Sequence, residues 1–252
     1  MAAPAALLWD VDGTLAETEL EGHRRAFNRA FRQADLPWHW DRSTYLGLLR
    51  ISGGRERLSA YLTQAEGQPP AAQRLEALQA AKQRHYAELV AAGALQLRPG
   101  VQRLMAAAAA AGIPQMIVTT SGRRAVSALL ERLLPERLAD LQQRVCGEDV
   151  AHKKPDPEAY CRALSQLALP AERVLAIEDS ANGVAAAHAA GIAVLVTRSA
   201  SSVHEPAAAF IPAVAQVDHL GDPQHPCRVL QGPACPSGQV ALSYLQQLLP
   251  GG

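Results

Sequence analysis

The chain has 252 residues, with 24 Lys and Arg balanced by 24 Asp and Glu, so its formal net charge is zero. A chain without a net positive field is a poor candidate for binding nucleic acid. The longest low-complexity apolar run covers residues 106–111. This run is far shorter than the roughly 20 residues that cross a bilayer, so we expect no membrane partner.

The N-terminus lacks the basic start of a secretion signal, which predicts a cytoplasmic protein. The four cysteines, Cys146, Cys161, Cys227 and Cys235, have neither the CxxC spacing of a zinc site nor the density of a disulfide scaffold. We assign them no function. No coiled-coil heptad is present, and a monomer is expected.

An apolar run at residues 5–9 leads directly into Asp10-Val11-Asp12-Gly13-Thr14. This pattern predicts a buried strand that ends in two acids on the same side, followed by a sharp turn. Two such carboxylates suit a nucleophile, a proton carrier and a cation site. Asp and Gly also dominate ordinary turns, so the motif needs support from the rest of the chain.

Helical periodicity follows over residues 21–34, 55–62 and 71–91, with breaks at Gly53-Gly54 and at residues 68–70. Residues 17–95 are therefore predicted to form an all-helical insert. Beyond it, strands at 115–119, 173–177 and 193–197 alternate with helices, and residues 144–146 and 214–217 are candidate short strands. This alternation predicts a parallel sheet covered by helices on both faces. The Pro- and Gly-rich tail from about residue 221 ends in a helical pattern over 240–249.

Ligands of open α/β sheets bind beyond the carboxyl ends of the strands. Asp10, Thr119 and the Glu178-Asp179 pair each stand at such an end, so we expect them to converge. Two carboxylates about 4 Å apart repel by roughly 4 kcal/mol at an effective dielectric of 20. Oxygen ligands without His or Cys favour Mg²⁺, and Lys154 is a second candidate cation for this cluster.

Four ordered motifs resemble those of the haloacid dehalogenase superfamily. They are Asp10-Val11-Asp12-Gly13-Thr14, Thr119-Thr120-Ser121, Lys154-Pro155-Asp156-Pro157 and Glu178-Asp179-Ser180. The resemblance implies a Rossmann-like α/β core, residues 1–16 and 96–252, with an inserted helical cap, residues 17–95. It implies Asp10 as nucleophile, Asp12 as general acid and base, Thr119 as a phosphate hydrogen-bond donor and Lys154 as a charge clamp. It also implies that Mg²⁺ is held by Asp10, Asp12, Glu178 and Asp179.

Within the insert, residues 15–23 and 51–57 resemble the CbbY subgroup of sugar phosphatases, except that Arg55 stands where that subgroup often has lysine. Gly53, Gly54 and Arg55 are expected to bind a second phosphate, since a Gly-Gly turn exposes backbone N–H groups and arginine donates two parallel hydrogen bonds. The resemblance makes further residues candidate substrate contacts: Glu19, His23, Tyr45 and Lys82 from the insert, and Thr120, Ser121 and Arg123 from the core. In the plainer alternative Tyr45 packs with Trp38 and Trp40, and Lys82 is a solvated charge.

The leading hypothesis is a Mg²⁺-dependent phosphatase for a small phosphorylated sugar, and the subgroup resemblance suggests a pentulose bisphosphate such as xylulose-1,5-bisphosphate. The first alternative is a mutase of the β-phosphoglucomutase kind, which would use the same acids. A third hypothesis, from another class, is a non-catalytic regulator that binds a phosphorylated metabolite or a partner protein.

Overall fold

The structure, a computed structural model, describes residues 3–249. Its strands are β1 (Ala6–Trp9), β2 (Gln115–Val118), β3 (Arg144–Val145), β4 (Val174–Glu178), β5 (Ala193–Thr197), β6 (Ala215–Val217) and β7 (Val229–Gln231). Its α-helices are α1 (Arg24–Gln33), α2 (Arg42–Leu48), α3 (Gly54–Glu66), α4 (Ala72–Ala91), α5 (Val101–Ala110), α6 (Arg123–Leu133), α7 (Glu158–Leu167), α8 (Ala181–Ala189) and α9 (Leu242–Gln247). A π-helical turn, Glu19–His23, leads into α1.

The seven strands form one sheet in the order β3-β2-β1-β4-β5-β6-β7. All neighbouring pairs are parallel except β6 and β7, which are antiparallel. The predicted α/β class and the parallel core are confirmed. Because β2, β1 and β4 are adjacent, the residues that follow these three strands lie side by side at one edge of the sheet.

The central strands are buried on both faces, as their continuous apolar sequences require. In β1, Leu7 and Trp9 belong to one hydrophobic cluster, and Ala6 and Leu8 belong to the cluster on the opposite face. Alternation with a period of two is what a pleated strand imposes on its side chains. Helices therefore cover both faces, as predicted.

Helices α1 to α4 lie between β1 and α5 and have an apolar cluster of their own, which we call the insert core. Its centre is aromatic, with Phe27, Phe31, Trp40 and Tyr45 fully buried. Tyr45 packs on Trp40 with 5.9 Å between ring centroids, as the plainer sequence interpretation expected. Helix α2 was not predicted from the sequence. The division of the chain at residues 17 and 95 remains a prediction, which the separate insert core supports.

Two linkers join the insert to the sheet, and they run beside each other. Ala16 of the first linker pairs with Leu97 of the second in an antiparallel bridge. Arg98, which is buried, then donates to the carbonyl oxygens of Gly13, Thr197, Arg198 and Asp218. The arginine thereby fixes the linkers to the loops that follow β1, β5 and β6.

The C-terminal tail departs from the sequence expectation. Residues 214–217 were expected to add an edge strand, whereas β6 is covered by the unpredicted β7. Val240, Tyr244 and Leu245 join the cluster on one face of the sheet, and Arg103 donates to the carbonyl oxygens of Leu220, Gly221 and Val240. The tail is therefore part of the core. All four cysteines are free thiols, and none of the described helices is long and apolar enough to span a membrane.

Candidate active site

The carboxyl ends of β1, β2 and β4 bring the predicted acids together. Asp10 directly follows β1, Glu178 ends β4 and Asp179 follows it, and all three side chains are buried. Thr119 follows β2 and is also buried. Asp10 N donates to Ile177 O at 3.0 Å, which keeps the first acid in register with β4 beyond the end of β1.

Lys154 lies at the centre of this cluster. Its Nζ donates to Asp10 Oδ1 at 2.8 Å, to Glu178 Oε1 at 2.6 Å and to Val118 O at 2.8 Å. These three acceptors use all three ammonium protons. Burial opposes the charged form, but the charges of Asp10 and Glu178 prevail and raise the pKa of Lys154. The lysine is therefore a fixed cation in contact with the proposed nucleophile.

One lysine does not balance the three acids around it. Oxygen atoms of Asp10, Glu178 and Asp179 lie within 4.8 Å of one another. Burial, and then neighbouring carboxylates, raise the pKa of both Asp10 and Asp179 well above the usual range, although Lys154 opposes the shift at Asp10. A cluster of oxygen ligands with excess negative charge fits a hard cation such as Mg²⁺.

Asp12 occupies a different part of the site from the one expected. The sequence placed it among the metal ligands, but its carboxylate is not a member of the group formed by Asp10, Glu178 and Asp179 within residues 3–249. Its side chain points to the insert instead, because Thr18 and Ser121 donate to it and His23 Nε2 lies 2.8 Å from Oδ1. Burial alone would raise the pKa of Asp12, but His23 and the two hydroxyls lower it overall.

A buried chain of contacts runs from Asp12 into the insert. Lys82 Nζ lies 2.9 Å from His23 Nδ1, and the His23 ring stacks on Tyr86 at 4.2 Å. An ammonium group can only donate, so Nδ1 accepts and Nε2 carries the proton that it donates to Asp12. Burial lowers the pKa of Lys82 to about 8. Through His23, the insert thus helps to position Asp12, the proposed general acid and base.

The glycines that were expected to bind a second phosphate lie in the insert. Gly53, Gly54, Arg57 and Lys82 line the same pocket as Asp10 and Asp12. Arg57 is buried, donates to Tyr45 Oη at 3.1 Å and lies 3.9 Å from Glu19 Oε2. Tyr45 donates in turn to Glu19 Oε2 at 2.5 Å. The insert therefore presents two buried cations to the pocket.

Arg55 and Arg123, two predicted contacts, do not reach this pocket. The Arg55 side chain is 49% exposed and its Nη2 lies 2.8 Å from Glu76 Oε1, because Arg55 lies on the outer face of α3. Arg123 Nη2 lies 2.5 Å from Asp149 Oδ2 at the surface. Thr120 and Ser121 do line the pocket, whereas Tyr45 is not among its lining residues and supports it through Glu19 and Arg57.

Several lining residues were missed by the sequence analysis. Arg57 is the most important, and helical spacing could have identified it, because Arg57 shares the buried face of α3 with Leu58 and Leu62. Other lining residues were not singled out either: Ser52 in the link between α2 and α3, Asn182 in the first turn of α8, and Ser201, Ser202 and Glu205 in the loop after β5.

Comparison with known proteins identifies the family of this chain. A profile of the haloacid dehalogenase-like hydrolases matches residues 4–191. The chain belongs to the haloacid dehalogenase-like hydrolase family. Protein CbbY of Cupriavidus necator is 43% identical over 226 residues, which cover 88% of this chain and 87% of that protein.

Two solved structures show the likeness in three dimensions. CbbY from Rhodobacter sphaeroides in complex with phosphate is 38% identical, with a TM-score of 0.79 over 86% of this chain and 95% of that one. An Asp-to-Asn mutant of CbbY from Rhodobacter sphaeroides, in complex with xylulose-1,5-bisphosphate, is 37% identical, with a TM-score of 0.80 over the same shares. The family resemblance and the enzyme class, a phosphatase of the haloacid dehalogenase type, are confirmed.

The first prediction concerns Gly13, which has a φ of +85° and closely approaches the acid cluster. A Cβ added there would lie 2.1 Å from Asp179 Oδ2. Gly13→Ala should therefore displace Asp179 and lower kcat for phosphate release by about 100-fold or more, since misplacing a catalytic group by 1 Å costs that much. Gly112→Ala is the matched control, because Gly112 has a similar φ of +67° and open space around it. Equal kcat values in the two variants would contradict the proposed role of this turn.

Proposed function

We propose that this enzyme is a Mg²⁺-dependent phosphatase for sugar bisphosphates and that it acts through an aspartyl-phosphate on Asp10. A pentulose bisphosphate such as xylulose-1,5-bisphosphate is the proposed substrate. The main support is that a single pocket is lined by Asp10 and its neighbouring charged residues on the core side. On the insert side the same pocket is lined by two buried cations, Arg57 and Lys82. The CbbY complex with xylulose-1,5-bisphosphate supports the choice of sugar.

The first half of the proposed reaction is transfer of the phosphoryl group to Asp10. Lys154 holds Oδ1 of Asp10, and we assign the attack on phosphorus to Oδ2. The bond between phosphorus and the sugar oxygen breaks, and protonated Asp12 gives its proton to that oxygen. A bound phosphate dianion beside Asp12 favours this protonated form, because a nearby negative charge raises the pKa of a carboxyl group.

The second half is hydrolysis of the aspartyl-phosphate. Ionised Asp12 accepts a proton from a water molecule, the water oxygen attacks phosphorus, and inorganic phosphate leaves with Asp10 restored. The lowered pKa of Asp12 suits this role as a base. Mg²⁺, when held by Asp10, Glu178 and Asp179, offsets the negative charge of the phosphoryl group.

The function is tested with a panel of sugar mono- and bisphosphates, scored by phosphate release and by analysis of the sugar product. We expect the highest kcat/KM for a pentulose bisphosphate, with free phosphate as product. Isomerised sugar phosphate without free phosphate would instead identify a mutase.

EDTA should abolish turnover and Mg²⁺ should restore it, because the cluster of three carboxylates then regains its counter-charge.

The nucleophile prediction uses Asp10→Asn, which keeps the size of the side chain and removes the attacking oxygen. Turnover should fall by at least about 10³-fold, as expected for loss of a nucleophile. Thermal unfolding should change little, because the pKa of Asp10 shows that its charge is disfavoured where it is buried. Turnover that persists in carefully purified Asp10→Asn protein would refute the assignment.

The next prediction separates the two arginines of α3. Arg57→Met should raise KM for the bisphosphate by about 10- to 100-fold, which corresponds to the roughly 1.5–3 kcal/mol of a hydrogen bond to a charged group. A sugar monophosphate lacks the distal phosphate, and its KM should change much less. Arg55→Met should leave both KM values within about twofold, because Arg55 is paired with Glu76 at the surface. A large rise in KM for Arg55→Met, with little change for Arg57→Met, would show that Arg55 and not Arg57 contacts the distal phosphate.

The lowered pKa of Lys82 predicts a pH dependence. As pH rises through about 8, Lys82 loses its charge, so kcat/KM for the bisphosphate should fall, by up to tenfold per pH unit. The effect on stability has the opposite sign. Between pH 8 and 10.5 the unfolded lysine binds more protons than the folded one, so this group's contribution to the free energy of unfolding rises with pH.

Lys82→Arg keeps a positive charge throughout this range and is the matched control. Its kcat/KM should stay level between pH 7.5 and 9.5, measured relative to pH 7. A decline of the same size in the wild type and in Lys82→Arg would show that another group titrates.

A further inference from the structure

Residues 50–56, which join α2 to α3, are held by the core on two sides, and we call them the docking segment. On one side Asn182 Nδ2 donates to Ser52 Oγ at 3.1 Å and to Arg50 O at 3.2 Å. On the other side Lys153 Nζ forms an ion pair with the Glu56 carboxylate. The insert therefore contacts the core through a hydrogen-bonded side chain and an ion pair.

Gly53 lies between these two contacts, in a space that excludes a side chain. A Cβ on Gly53 would lie 2.1 Å from Glu56 Oε2 and 2.7 Å from Lys153 Cδ. Its φ of +88° is also a conformation that favours glycine. The docking segment is thus closely fitted to the side chain of Lys153.

Both core partners are close in sequence to the reacting groups. Lys153 precedes Lys154, which contacts Asp10, and Asn182 follows Asp179 by three residues. In the docking segment, Gly53 and its neighbour Gly54 line the pocket, and Arg57 follows in the first turn of α3. The two contacts therefore fix the distance between the insert's phosphate-binding groups and the nucleophile.

The pocket is built from both halves of the molecule, which are connected covalently only by the two linkers at Ala16 and Leu97. A sugar bisphosphate that binds in this pocket would contact both halves, so any movement of the insert away from the core would change the distance between its two binding regions. Catalysis then needs them to return to one defined position, because a shift of about 1 Å is costly to the rate.

We propose that the Lys153–Glu56 ion pair and the Asn182–Ser52 hydrogen bond dock this segment of the insert on the core during turnover, in addition to the contacts of Thr18 and His23 with Asp12. The four residues of the ion pair and the Asn182–Ser52 bond are positioning residues, not catalytic ones. This inference rests on the proposed function in one respect, that the substrate spans both halves. The Lys153 and Glu56 side chains are 19% and 40% exposed, so solvent screens the pair and its loss should lower kcat/KM about three- to fivefold.

The experiment is a charge swap. Glu56→Lys and Lys153→Glu each place like charges together, and each should lower kcat/KM for the best bisphosphate of the panel by about tenfold. The double variant, Glu56→Lys with Lys153→Glu, restores opposite charges and should recover most of the loss. Asn182→Ala should lower kcat/KM by a further few-fold, independently of the swap.

The controls distinguish docking from general damage. Glu66→Gln removes an ion pair with Arg74 at the other end of α3, within the insert, and should leave kcat/KM unchanged. p-Nitrophenyl phosphate has no distal phosphate to bind the insert, and its kcat/KM should change less than twofold in the Glu56 and Lys153 variants. Added salt should lower the bisphosphate kcat/KM of the wild type more than that of a Glu56→Gln, Lys153→Met double variant.

A structural measurement makes the test independent of the substrate. Without any sugar, amide hydrogen exchange in the docking segment should be faster in Glu56→Lys than in the wild type and should return to the wild-type rate in the swapped double variant. Failure of the swap to restore kcat/KM and exchange, or equal losses on p-nitrophenyl phosphate, would overturn the proposal. Turnover of p-nitrophenyl phosphate but of no bisphosphate would instead reject the proposed substrate, and hydrogen exchange would still decide the docking role.

Discussion

The crowding of buried negative charge around Lys154 is the constraint on which the site depends. Three carboxylates, from Asp10, Glu178 and Asp179, meet where two adjacent strands, β1 and β4, end. One ammonium group contacts two of them, and burial, together with the neighbouring carboxylates, raises the pKa of Asp10 and Asp179. Such an arrangement is costly for a folded protein unless further positive charge arrives. The proposed divalent cation would offset this imbalance of charge.

The core and the insert contribute differently to the positions of Asp10 and Asp12. Asp10 is held entirely by the core, whereas Asp12 accepts hydrogen bonds from Thr18 and His23 on the insert side and from Ser121 on the core side. Only one residue separates the two acids, yet their side chains contact different parts of the molecule. The proposed nucleophile is therefore positioned by core residues, whereas the proposed proton carrier is positioned by residues of both the core and the insert.

Much of the fold and of the core side of the site could be predicted from the sequence, because local patterns determine both. A strand that ends in Asp10 needs only an apolar run followed by acids, and parallel strands bring their ends together whatever the helices do. The insert side was harder to predict. Arg55 follows the glycines directly, yet the helical twist turns it outward and brings Arg57 into the pocket. Strand β7 was missed because its stability comes from pairing with β6, a tertiary contact that no local periodicity reports.

The packing of the C-terminal tail has a practical consequence for anyone who handles this enzyme. The family profile ends at residue 191, which invites shortening the chain to the part that carries the motifs. Such a cut would remove β5, β6, β7 and α9, leave β4 as an unpaired edge of the sheet and uncover the apolar residues that pack with Tyr244 and Leu245. Unpaired strand edges and exposed apolar surface promote self-association. We expect a shortened version to self-associate even though Asp10, Lys154, Glu178 and Asp179 are kept, and it would also lack the pocket residues Ser201, Ser202 and Glu205.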